Sequence, residues 1–106
     1  MSYWVNLLID TGAPEPIEVW SRNHTSNIAG VWRTAGCDLR EFDGKTAIEL
    51  GEAAGNAIIE ILENRDKYTE FEPGNGWGDI TSTIAFLQAI HNACKLHPKT
   101  IVHVSY

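Results

Sequence analysis

The sequence predicts a single α+β domain of two layers, in the order β-β-α-α-α-β, with the helices on one face of a small antiparallel sheet. Three observations predict it. Alternating apolar segments open and close the chain, a Gly- and Pro-rich turn divides the opening pair, and stripes of helical period fill the middle. With 106 residues, 43% of them apolar, the chain supplies one core and leaves no room for a second, so residues 1–106 form one domain.

Residues 3 to 9 alternate Tyr3, Val5, Leu7 and Ile9 against Trp4, Asn6 and Leu8, the period of a strand. Asp10 to Pro16 is turn chemistry, because Gly12 supplies a positive φ and the prolines donate nothing to a ladder. Ile17 to Arg22 alternates again and completes a hairpin, in which Trp4 and Trp20 take outward-facing positions. Thr25 or Ser26 caps a short helix running to about Ala35, with Gly36 as its left-handed end. Residues 37 to 44 form an irregular link that tucks Leu39 and Phe42 under the domain.

Thr46 and Glu49 have the spacing of a capping box and open the clearest helix. Ala47, Leu50, Gly51, Ala54, Ile58, Ile61 and Leu62 make its buried stripe, and Gly51 and Gly55 permit close approach to a neighbour. A polar stretch from Asn64 to Glu72 and a glycine-rich turn over 73–78 follow. Asp79 then caps a third helix whose buried face is Ile80, Ile84, Leu87, Ile90 and Cys94. His97-Pro98 stops it, since the residue before proline is pushed out of the helical region. Thr100 to Tyr106 is the closing strand. The preferred strand order is 2-1-3, which leaves the longer, more apolar opening strand central. The alternative sets the last strand beside the second.

The formal charge is −6, which argues against general nucleic-acid binding, a property that depends on Lys and Arg neutralising phosphates. That charge is uneven. Between Asp38 and Asp79 eleven acidic residues face four basic ones, a balance of −7, and the remainder carries +1. Cys37 and Cys94 fit no metal spacing and no disulfide scaffold, which suits a reducing compartment. No apolar run reaches the roughly 18 residues of a membrane span. The expectation is a soluble, cytoplasmic protein.

Two segments stand out as a candidate site: Asn23-His24-Thr25-Ser26-Asn27, leaving the second strand, and Asn75-Gly76-Trp77-Gly78-Asp79, entering the third helix. Each is a polar or glycine-rich loop delivering backbone N–H groups at a helix N-terminus, and each has a tryptophan close by, Trp32 and Trp77. Arg22 and Arg33 flank the first. Strand order 2-1-3 brings the two loops together; the alternative separates them. Either loop alone is also satisfied as a capped turn without a ligand, so the case for a site rests on their shared ingredients.

These segments, with the closing His97-Pro98-Lys99, resemble a group of small uncharacterised proteins of actinobacteria and their bacteriophages, over nearly the whole chain. The resemblance implies an intracellular accessory protein, phage-encoded in some cases, with those two loops as its characteristic features. It transfers no catalytic residue.

Three functions follow as expectations. The first is a non-enzymatic binding module for a nucleotide-like or other anionic small ligand, its phosphate held by Arg22 or Arg33 and helix N-termini and its base stacked on tryptophan. The second is an interaction domain whose acidic second helix meets a basic host partner. The third is a small hydrolase in which His24, paired with Asp79 or Asn23, activates Ser26 or Thr25. No cofactor or metal is implied: His91 and His97 sit on the third helix and His103 mid-strand, without ligand spacing. Outward-facing Trp4 and Trp20 predict a homodimer or higher homo-oligomer.

Overall fold

A computed structural model describes residues 1–72 and 79–106. Strands β1 (Ser2–Ile9) and β2 (Ile17–Thr25) form an antiparallel hairpin, and β3 (Ile101–Ser105) pairs antiparallel on the other side of β1. The order is β2-β1-β3, as predicted. Gly12 turns the hairpin at φ 83° and donates its N–H to the Asp10 carboxylate at 2.9 Å.

The hairpin differs from expectation in two places. β2 does not end at Arg22: Asn23, His24 and Thr25 pair with Trp4, Tyr3 and Ser2. Polar residues can hold an edge strand because their ladder bonds come from the backbone, and β1 begins early enough to offer partners. A register shift at Leu7/Leu8 then leaves Val19 as an extra residue, with Trp20 opposite Leu7 on the helix-covered face. Trp20 therefore packs against the core, and only Trp4 keeps the outward position.

The chain leaves β2 through a 3₁₀ turn, Ser26–Ile28, in which the Thr25 hydroxyl accepts from Asn27 N–H. Helix α1 (Ala29–Thr34) follows and closes on Gly36 at φ 97°. A second 3₁₀ turn, Leu39–Phe42, buries Leu39. Helix α2 (Ala47–Glu63) opens with the expected capping box. Leu62, however, is 57% exposed, and Ala57 lies on the buried face in its place. One residue on a helix turns by about 100°, which carries Leu62 past the edge that Ile61 still occupies.

The polar stretch after α2 is also more structured than its composition suggests. It holds helix α3 (Arg65–Tyr68) and a 3₁₀ turn, Thr69–Phe71. Tyr68 is fully buried and its hydroxyl donates to the Glu60 carboxylate, while the Phe71 ring lies over Gly30, where any side chain would collide with it. Helix α4 (Ile80–Leu96) starts at the Asp79 cap and ends at His97. Its buried face adds Thr83, Phe86 and Ala93 to the expected Ile80, Leu87, Ile90 and Cys94; Ile84 is half-buried.

α2 and α4 run antiparallel, Gly51 against Cys94 and Gly55 against His91. With α1 they cover one face of the sheet, burying Val5, Leu7, Val102 and Val104. The outer edge of β3 is closed by the approach to α2: Gly44 N–H donates to Val102 C=O and Val102 N–H to Lys45 C=O, both at 2.8 Å, and Val104 N–H reaches the Asp43 carboxylate at 2.9 Å. Among the described residues no helix is long and apolar enough to cross a membrane.

Candidate functional site

The end of β2 and the start of α4 do meet, at His24. Its ring faces the core opposite Tyr3, with centroids 5.2 Å from Phe86 and 6.1 Å from Trp32. Nε2 lies 3.2 Å from Thr83 Oγ1 and 3.4 Å from Ser82 Oγ. Both hydroxyls donate to the Asp79 carbonyl, at 2.9 and 3.1 Å. A bond to either therefore needs the proton on Nε2. Burial pushes the His24 pKa below its ordinary 6.5; the Asp79 charge opposes that shift and the Arg22 charge adds to it.

The first turn of α4 is occupied by the chain's own acids. The Asp79 carboxylate accepts Ser82 N–H at 2.6 Å, and Glu72 accepts Ile80 N–H at 3.3 Å. That hydrogen bonding keeps the Asp79 pKa below the usual carboxylate range. The amides expected to hold an anion thus already hold two carboxylates.

Other predicted residues are dispersed. Asn23, one step along β2, lies opposite Trp4 on the uncovered face; Arg22 is exposed opposite Val5; Arg33, in the last turn of α1, exerts its charge on Asp38. Ser26 Oγ donates to Met1 C=O at 3.1 Å and Thr25 Oγ1 caps its own turn, so neither hydroxyl serves His24. Trp32 is fully buried, edge-on to Tyr3 at 5.2 Å and 5.6 Å from Phe86, which leaves no open face for stacking. Its Nε1 has no hydrogen-bond partner among the described residues. Asn27 is exposed, and Asn75, Gly76, Trp77 and Gly78 lie outside the described residues. Ser82, Thr83 and Phe86 were not expected here, although Thr83 falls one helical turn after Ile80 and so shares its buried side.

A second feature lies on the far side of the helices. Ile48, Ile59 and Leu62 are 60%, 55% and 57% exposed, and with Gly55 they form a single stripe at spacings of seven, four and three residues. Alongside runs the seam with α4, where His91 Nδ1 donates to Gly51 C=O at 2.9 Å. Cavities of about 240 and 420 Å³ open on either side of His91: Ile48, Gly51 and Cys94 line the first, Gly55, Ile59 and Gln88 the second, and Glu52 rims both. α2 carries four glutamates and no cation. Glu49 closes the cap and Glu60 holds Tyr68, which leaves Glu52 and Glu63 as exposed acids beside the stripe. Lys95 is the one lysine or arginine within α4, near the seam.

The thiols of Cys37 and Cys94 are pushed up to about 12 and about 11 by burial, so neither is a ready nucleophile. No family model, no curated protein and no solved structure matches the chain. The motif resemblance therefore lends no role to any residue.

Proposed function

We propose that the protein is a non-enzymatic interaction domain whose α2–α4 outer face docks a cationic protein partner. One observation carries this: three large aliphatic side chains stand exposed in line on a helix whose charges are all acidic, beside a seam with open volume. A solvated helix face has no reason to align Ile48, Ile59 and Leu62, because each exposed aliphatic side chain forgoes about 1.5–3 kcal/mol of burial. The test is titration of the full chain with a peptide of Lys, Leu and Ala, read by amide chemical shifts. Shifts are expected along Ile48–Leu62 and Gln88–Lys95, with affinity falling about tenfold in Glu52→Lys/Glu63→Lys. Shifts centred on the sheet, or an affinity indifferent to charge reversal, would sink it.

A small polar ligand at the His24 corner is a second reading, favoured by Trp32 Nε1, buried and without a hydrogen-bond partner among the described residues, beside the half-buried His24 imidazole. The two carboxylates at the start of α4 favour a hydrogen-bonding, base-like ligand end over a phosphate. In a thermal-shift series of nucleotides and cyclic nucleotides, a true ligand at 100 times its Kd adds about 2.7 kcal/mol. A flat series removes this reading.

We also infer self-association through the uncovered sheet face, where Trp4 and Ile101 are 45% and 41% exposed.

A further inference from the structure

We propose that the element received by the α2–α4 face is an amphipathic α-helix of about four turns with Lys or Arg along one flank. This rests on the docking reading above and adds the form of the partner. Hydrogen bonding selects a helix. α2 and α4 satisfy their own backbones, so this face offers no row of free N–H and C=O groups. An extended segment laid on it would bury its own peptide groups unpaired, whereas a helix brings its bonds with it.

Dimension sets its length. The stripe from Ile48 to Leu62 covers roughly 21 Å at 1.5 Å per residue, the length of about four helical turns. Ile48, Gly55, Ile59 and Leu62 fall at steps of seven, four and three residues, which keeps them on one side of α2, the side a neighbouring helix would follow as a seam. Charge sets its orientation. Glu52 and Glu63 flank the stripe on the α2 side and Lys95 lies across it. The partner's cationic flank therefore lies over α2, and its α4 side is neutral or acidic near Lys95.

The experiment uses the full chain and three peptides of about 18 residues, the first two sharing one Lys/Leu/Ala composition. In the first, leucines recur at three and four residues. In the second they alternate, and the third is the first with two central prolines added. The helical-period peptide is expected to bind about tenfold tighter than the others and to gain helical circular dichroism on binding. Ile59→Lys, at an exposed position, is expected to cost about tenfold while leaving the melting temperature unchanged. Equal binding of all three leaves the docking surface and removes the helix; binding of none removes both. If the chain alone sediments as a dimer that Ile59→Lys converts to a monomer, a second copy occupies the groove and the proposal falls.

Discussion

His24 sits where an imidazole changes the stability of the fold with pH. Its native pKa is held below 6.5 by burial, so as pH falls the unfolded chain takes up the proton first. Between 6.5 and the lower native value the unfolded state binds more protons, and stability rises with pH across that window. Above 6.5 the contribution is complete and flat; below the native value it is gone. His24→Gln keeps a donor for Thr83 without the titration, so it is expected to lose this part of the slope. Urea unfolding of both proteins between about pH 5 and 7.5 checks it. Identical slopes would show that His24 titrates alike in the folded and unfolded chains. The residue was legible as polar and unusual, but its partners were not, because Ser82 and Thr83 lie 58 and 59 positions away along the chain.

At the scale of elements, α2 and α4 are locked by what Gly51 and Gly55 lack. A Cβ on Gly51 would come within 2.8 Å of Cys94 Cβ, an atom fixed to the α4 backbone; on Gly55 it would meet the His91 ring at 3.1 Å. A ring can turn away and a Cβ cannot. Against an intrinsic helix gain of about 1 kcal/mol for Gly→Ala, Gly51→Ala carries overpacking of about 1–3 kcal/mol. Gly51→Ala is therefore expected to destabilise by about 1 kcal/mol and Gly55→Ala to come out close to neutral. Chemical denaturation of the two variants decides it, and equal effects would contradict the close contact at Cys94. Both glycines, the Thr46 box and the Asp79 cap were legible because their causes are local in sequence. Leu62 and Trp20 were misjudged, and Tyr68 was passed over inside a polar stretch, for the opposite reason. Leu62 lies one residue past a buried stripe, Trp20 is turned inward by a bulge that only strand pairing creates, and Tyr68 is buried by the α2 terminus it folds back upon.

The whole molecule is asymmetric in how it finishes its surfaces. The outer edge of β3 is closed by residues 43–46, but among the described residues no strand pairs with the outer edge of β2. Helices cover one face of the sheet. The other carries Trp4 at one end and the paired Leu8 and Ile101 at the other, between polar Asn6, Glu18 and His103. A three-stranded sheet in a domain this small gains from covering such a face, and a two-fold pairing of identical faces does so with a single surface. Light scattering at micromolar concentration is therefore expected to give about 24 kDa, twice the 11.8 kDa chain. Trp4→Lys places a charge within that contact and is expected to return the mass to that of one chain, with the far-UV circular dichroism unchanged. This surface lies opposite α2 and α4, so Ile59→Lys should leave the dimer intact. A wild-type mass near 11.8 kDa, or a dimer that survives Trp4→Lys and Ile101→Lys together, would place the sheet face outside any interface.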